Sequence, residues 1–122
     1  LCEARVGQLT IANRNLAKAR QLVDLLVTDG GLANITAQPL AETDGAGVDM
    51  IINSTSLGLH SDDAAPLALD QVSKHTVIAD IIMVPAETKW LQDAARRGLS
   101  VHYGRHMLDH QIDLIGRFIG AF

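Results

Sequence analysis

Short apolar runs rich in β-branched residues alternate with longer segments of helical periodicity along nearly the whole chain, and this alternation constrains the fold most strongly. We predict strands over 8–12, 34–38, 49–53, 76–83 and 100–103. We predict helices over 15–28 and 87–97, a short helix or turn over 67–72, and a last helix ending at 122. Such a pattern is typical of βαβ units, so the predicted fold class is α/β with a mostly parallel sheet flanked by helices.

The composition indicates a single globular domain of 122 residues, with 48% hydrophobic and 20% charged residues. A formal net charge of −4 argues against a nucleic-acid partner or a membrane surface, and no apolar run approaches the roughly 18 residues that span a bilayer. Cys2 is the only cysteine, which excludes an internal disulfide and favours a reducing, cytoplasmic location.

Three of the five histidines have a helix-like spacing, at His102, His106 and His110. We expect His102 to lie in a strand, and no carboxylate motif accompanies the three residues. The sequence therefore predicts no metal site.

The segment from Asn13 to Lys18 predicts an anion pocket where the first strand passes into a helix. Arg14 and Lys18 are two cations at the start of this helix, and Asn13 or Asn15 can cap it. Cations at a helix N-terminus oppose the macrodipole unless an anion lies between them and the free N–H groups. In dinucleotide-binding folds this strand end carries an acidic residue for a ribose 2′-hydroxyl, so Asn13 beside Arg14 favours NADP over NAD. A surface helix with scattered basic residues is the alternative.

Three further strand ends also carry unusual residues. Ligands of parallel sheets collect at the carboxyl ends of the strands, and these ends lie at 53–58, 80–85 and 103–108. The first combines four small polar side chains with Gly58, which permits a close backbone approach. A plain strand-to-loop exit stabilised by Asn and Ser is the alternative for this segment.

The last helix carries apolar residues at helical spacing, at Leu108, Ile112, Ile115, Ile119 and Phe122. We expect this stripe to lie in the core.

The four strand ends together resemble the NADP-binding, C-terminal domain of the shikimate dehydrogenase family. The matching strings are NR-x-x-x-KA from Asn13, INSTSLGL from Ile52, DIIMVPAETKWL from Asp80 and GRHMLDHQ from Gly104. The resemblance covers 8–122. It implies a Rossmann-like fold and hydride transfer between NADP(H) and a cyclic hydroxy acid of the shikimate type, in aromatic amino acid biosynthesis.

The resemblance also implies roles for individual residues. The adenosine ribose and its 2′-phosphate would contact Asn13, Arg14, Asn15 and Lys18. Thr55 would lie along the cofactor, Ile81 near the nicotinamide, and the Gly104 backbone against the nicotinamide amide. Gln111 would contact the cyclic acid, and Met83 stands where the family has a substrate-binding Tyr. Methionine cannot donate that hydrogen bond, so a relative with another substrate is an alternative.

Other parts of the family pattern are missing from the chain. We expect 1–122 to be a truncated domain that lacks the first strand, the glycine-rich loop and the N-terminal substrate domain with its proton-transferring Lys and Asp. This fragment would carry no catalytic residue and show no turnover alone. In the 3-2-1-4-5-6 order, two inner strands would lose a neighbour. Rearrangement, pairing with a second copy or a longer parent protein would each resolve this.

Two further hypotheses stay open. A glutamyl-tRNA reductase-like NADP domain uses a similar turn, although the 104–111 run argues against it. A non-catalytic nucleotide-sensing module is favoured by Met83.

Overall fold

The computed structural model describes residues 6–28 and 34–121. The chain divides into two compact units, 1–43 and 44–122, which are described separately. Cys2, Phe122 and the segment 29–33, which follows the predicted helix over 15–28, lie outside the described residues.

The first unit is a βαβ arrangement. Strand β1 (Leu9–Asn13) leads into helix α1 (Leu16–Thr28), and β2 (Ile35–Pro39) runs parallel to β1 with Leu9 opposite Ile35. A single 3₁₀ turn (Leu40–Glu42) follows β2. Parallel neighbours require such a crossover, which α1 supplies.

The second unit is a three-stranded parallel sheet with two helices. Its elements are β3 (Met50–Asn53), β4 (Val77–Asp80), α2 (Lys89–Arg96), β5 (Ser100–His102) and α3 (Gly104–Phe118). The sheet order is β3-β4-β5.

The core of the second unit lies between α2 and the sheet. Ile78 of β4 packs with Trp90, Leu91 and Ala94 of α2, and Leu69 and Leu99 complete the buried cluster. Burying a side chain such as Leu91 contributes about 2 kcal/mol. The only tryptophan of the chain therefore reports on this core.

The predicted α/β fold class is confirmed, and every pairing between described strands is parallel. The order within each sheet agrees with pieces of the expected 3-2-1-4-5-6 arrangement. The strand predicted over 76–83 is too long. It ends at Asp80 because the Asp80 carboxylate accepts the backbone N–H of Ile82 at 3.0 Å, which turns the chain. The 67–72 segment forms turns.

The expectation that the stripe on the last helix is buried is wrong for the described residues. Leu108, Ile112, Ile115 and Ile119 are all exposed, and Phe118 is 91% exposed. The helical periodicity is present, but no described element covers this face of α3. Among the described residues, no helix is long and apolar enough to cross a membrane.

Candidate functional site

The turn between β1 and α1 is built from two asparagine side chains. Asn13 Oδ1 accepts the backbone N–H of Asn15 at 2.8 Å, which closes the turn. Asn15 Oδ1 then accepts the backbone N–H groups of Ala17 at 3.1 Å and Lys18 at 3.4 Å. Asn15 is therefore the residue that caps α1, and Asn13 shapes the approach to it.

The start of α1 is electropositive. Arg14 and Lys18 are exposed, and neither forms an ion pair with the residues that the structure describes. The first turn of α1 contains no acidic residue. The interaction of each cation with the positive end of the helix dipole is unfavourable by roughly a few tenths of a kcal/mol. A bound anion would offset this repulsion.

In the second unit, the loops that follow the three strands meet around Ile81 and Ile82. A Cβ at Gly104 would lie 2.4 Å from the Ile82 carbonyl oxygen, and a Cβ at Gly58 would lie 3.2 Å from Ile82 Cδ1. Gly58 has φ of 114°, a conformation that L side chains rarely adopt. Two glycines thus allow these loops to pack closely, and Ile81 stays exposed at the rim.

A buried hydrogen-bonded network lies beneath this rim. The Asp80 carboxylate accepts hydrogen bonds from the Asn53 side-chain amide at 3.2 Å and from the Thr88 hydroxyl at 2.9 Å. Thr88 also caps α2 by accepting the backbone N–H of Leu91. A buried carboxylate is costly unless it accepts hydrogen bonds, and these donors satisfy it. The same contacts join the ends of β3 and β4 to the start of α2.

Two ionisable groups in the surrounding loops have shifted pKa values. Hydrogen bonds from the backbone N–H groups of His60 and Gly58 lower the pKa of Asp63. Burial, followed by the charge of Glu87 and a hydrogen bond to it, raises the pKa of Tyr103. Tyr103 immediately precedes α3, so it lies next to Gly104 in this rim.

The other predicted site residues lie on the second unit too. Thr55 is exposed in the loop after β3, and Met83 is half-buried after β4. Gln111 is exposed and is the eighth residue of α3. The structure brings Ile81 and Gly104 together, and it holds Thr55 through Asn53.

A cavity of about 740 Å³ lies between the 58–70 loop and α2. None of the predicted site residues lines it. Arg97 lines the cavity, but its guanidinium group is already paired with Asp93 and Asp70. It therefore offers no unpaired positive charge to a ligand there. Among the described residues, no cluster of three His, Cys, Asp or Glu side chains could hold a metal.

Sequence reasoning missed the role of Asp80 and Thr88. An Asp that ends an apolar strand and a Thr that precedes a helical period were both visible signals. Their partnership was not visible, because it depends on how the 81–87 loop returns.

No protein-family model matches the chain. Among curated proteins, it is 36% identical to the shikimate dehydrogenase (NADP(+)) of Methanosphaera stadtmanae, over 91% of the chain and 41% of the relative. It is 38% identical to that of Geobacillus kaustophilus, over 91% of the chain and 40% of the relative. The chain thus spans about two fifths of the length of these relatives.

Three solved structures are similar. Quinate dehydrogenase from Corynebacterium glutamicum, in complex with NAD, has a TM-score of 0.85 at 22% identity, over 97% of the chain and 43% of that protein. The 5-ketofructose reductase of Gluconobacter sp. strain CHM43 has 0.75 at 33% identity, over 88% and 39%. A shikimate dehydrogenase in complex with NADP+ has 0.64 at 26% identity, over 83% and 37%. These likenesses support the Rossmann-like interpretation of the fold.

Proposed function

Because this chain is shikimate dehydrogenase-like over about nine-tenths of its length, we propose that it is the NADP-binding domain of an oxidoreductase. The parent enzyme would transfer hydride between NADP(H) and a cyclic hydroxy acid of the shikimate type. The nicotinamide ring supplies the hydride chemistry, and the residues of this domain bind and orient it.

The start of α1 carries the proposal. Arg14 and Lys18 lack ion-pair partners among the described residues, and Asn13 stands where an NAD-specific site would carry an acid. We assign Asn13, Arg14, Asn15 and Lys18 to the adenosine ribose and its 2′-phosphate. Two similar proteins support the choice of NADP: one is a shikimate dehydrogenase (NADP(+)), and the other is a shikimate dehydrogenase in complex with NADP+.

In the second unit, we assign Thr55, Ile81 and the Gly104 backbone to the nicotinamide half, and Gln111 and Met83 to the substrate. The close packing of Gly104 on the Ile81 and Ile82 carbonyls supports a defined rim there.

A second candidate is a related reductase with another substrate. Met83 cannot donate the hydrogen bond of a Tyr, and the chain is 33% identical to a 5-ketofructose reductase. Testing the full-length parent protein with shikimate, quinate and 5-ketofructose separates these substrates.

We also propose that β1 and β3 each accept a further parallel strand. Each pairs with a described strand on one side only. A neighbouring segment of a longer protein would supply that strand, and a second copy of the chain is the alternative. We further propose a cytoplasmic location and no nucleic-acid partner, in keeping with the single cysteine and the net charge of −4.

Isothermal titration of the chain with NADP+ and NAD+ tests the proposal. We expect tighter binding of NADP+ and no oxidation of shikimate by the chain alone. Equal or absent binding of the two cofactors would refute the phosphate assignment. Binding without activity in the full-length parent would favour a nucleotide sensor, and activity on glutamyl-tRNA would favour that reductase class.

A further inference from the structure

The orientation of the Asn53 side-chain amide is fixed by two backbone groups. The backbone N–H of Thr55 donates to Asn53 Oδ1 at 3.0 Å, and Asn53 Nδ2 donates to the Leu57 carbonyl oxygen at 2.9 Å. A backbone N–H only donates and a carbonyl oxygen only accepts. Reversing the amide would lose both hydrogen bonds, so its oxygen faces Thr55.

The single proton of the Thr55 hydroxyl is therefore already used. Thr55 Oγ1 lies 2.7 Å from Asn53 Oδ1, which is an acceptor, so the hydroxyl donates to it. The backbone N–H of Leu57 donates to Thr55 Oγ1 at 3.1 Å and occupies one lone pair. A hydroxyl has two lone pairs. The exposed Thr55 side chain thus keeps one acceptor position and no donor.

Asp80 prevents the Asn53 side-chain amide from reversing its orientation. Its Oδ1 accepts from Asn53 Nδ2 and from the Ile82 backbone N–H, and its Oδ2 accepts from Thr88. Thr88 is the donor because the Asp80 carboxylate only accepts, and the Thr88 oxygen accepts the Leu91 N–H in turn. Asn53 and Asp80 are only 3% and 2% exposed, so water does not replace these partners.

We propose that Thr55 accepts a hydrogen bond from the nicotinamide half of the cofactor and contacts no phosphate. This inference rests on the proposed function. Phosphate oxygens only accept, whereas a ribose hydroxyl and the carboxamide NH₂ both donate. The proposed function assigns Ile81 to the nicotinamide half, and Ile81 adjoins the Thr55 turn because its backbone N–H donates to the Asn53 carbonyl oxygen at 3.2 Å. Asn53 and Asp80 are positioning residues for this acceptor.

Titrations of the 122-residue chain test the proposal with three probes: NADP+, its acetylpyridine analogue, which lacks the NH₂ donor, and 2′-phospho-ADP, which lacks the nicotinamide riboside. We expect Thr55→Val to weaken NADP+ binding by about 3- to 10-fold and to leave 2′-phospho-ADP unchanged. Thr55→Ser, which keeps the oxygen, restores the affinity. Ser100→Ala, which removes a hydroxyl at the start of β5, is the control.

The analogue identifies the donor. If Thr55→Val weakens NADP+ alone, the donor is the carboxamide, and if it weakens both dinucleotides equally, the donor is a ribose hydroxyl. Loss of 2′-phospho-ADP binding, or unchanged NADP+ binding, would overturn the assignment. Trp90 fluorescence verifies that each variant is folded.

A measurement without ligand separates this inference from the proposed function. We expect the Asn53 carboxamide protons to exchange with water at least 10-fold more slowly than those of exposed Asn13, because both protons are donated. Asp80→Ala should reduce this protection in a folded chain, because only the hydrogen bond to the Leu57 carbonyl oxygen remains. Unprotected Asn53 protons in the unsubstituted chain would overturn the hydrogen-bond polarity, whereas protected protons without NADP+ binding would refute only the cofactor proposal.

Discussion

Gly104 is packed so closely on Ile82 that a methyl group added at Gly104 would lie 2.4 Å from the Ile82 carbonyl oxygen. The Ile81 carbonyl oxygen would be 2.6 Å away. Both atoms belong to the backbone, which cannot rotate away as a flexible side chain can. The first residue of α3 is thus seated directly on the loop that follows β4.

Gly104→Ala should lower the free energy of unfolding by about 1–3 kcal/mol, because the added methyl group overpacks this contact. Urea denaturation followed by circular dichroism and by Trp90 fluorescence measures the loss. Gly7→Ala is the control, because a methyl group there meets no atom of the described residues within 4 Å. An equal effect of the two substitutions would show that the close packing carries no energetic weight.

Asp63 should make the 58–63 loop sensitive to acid. Its pKa is lowered from the ordinary value of 3.8, first by the His60 N–H and then by the Gly58 N–H. The charged form is favoured in the folded chain, so its stabilising contribution is present above pH 3.8 and is lost as the pH falls through the lowered folded value. Carboxyl ¹³C titration by NMR measures the shift.

Asp63→Asn is the control for this prediction. It should remove the acid-dependent change in the Gly58 and His60 amide resonances. If those resonances still shift in the variant, another group titrates in the loop.

Tyr103 should ionise above its ordinary pKa of 10.0, because burial disfavours the anion most and the Glu87 carboxylate adds to the effect. The neutral form is favoured in the folded chain, so this contribution to stability is present below pH 10.0 and is lost as the pH rises through the raised value. Tyr103 is the only tyrosine, so tyrosinate absorbance reports it alone.

Glu87→Gln should lower the Tyr103 pKa only in part, because the burial contribution remains. Asp62→Asn, at an exposed carboxylate of the same unit that does not contribute to the Tyr103 pKa, should leave it unchanged. An unchanged pKa in Glu87→Gln would contradict the hydrogen bond of 3.2 Å between the two side chains.

The elements were predictable where local pattern and packing agree. The strand predicted over 100–103 ends within one residue of β5 (Ser100–His102). Asn15 was one of two possible caps, and the choice between them depends on the turn that Asn13 closes. The parallel pairing followed from the length of the crossovers between the strands.

The failures have a tertiary origin. Leu108 and Ile112 have the periodicity of a buried helix, yet periodicity does not say whether a partner covers the apolar face. Asp80 ends its strand through a side-chain contact to Ile82, whereas the apolar residues after it suggested continuation. The Asn53–Asp80–Thr88 network joins residues far apart in sequence, so no local pattern reveals it.

Asn15→Asp should separate helix capping from cofactor binding. The carboxylate keeps the oxygen that accepts the Ala17 and Lys18 N–H groups, and its charge favours the helix N-terminus by about 0.3–1 kcal/mol. The same charge repels a phosphate. We therefore expect an equal or higher thermal midpoint together with weaker NADP+ binding, by calorimetry. Asn15→Ala, which loses the cap, should lower the midpoint, and unchanged NADP+ affinity in Asn15→Asp would place the phosphate elsewhere.

Arg14→Ala tests the phosphate assignment most directly. Loss of a charge-assisted hydrogen bond should cost about 1–3 kcal/mol of NADP+ binding, whereas NAD+ lacks the 2′-phosphate that Arg14 is assigned to contact. Raising the salt concentration should weaken NADP+ binding to the unsubstituted chain more than to the variant, because exposed charges are screened. Isothermal titration with both cofactors measures the difference.

Arg20→Ala is the matched control for Arg14→Ala, because Arg20 is an exposed arginine in the same helix, α1. It removes the same charge from the chain but lies beyond the first turn, where the effect of the helix terminus has faded. We expect its NADP+ affinity to stay within about 2-fold of the unsubstituted chain. Equal weakening of NADP+ by the two substitutions would mean that net charge alone attracts the cofactor, and equal weakening of NADP+ and NAD+ by Arg14→Ala would place Arg14 on a group that both cofactors share.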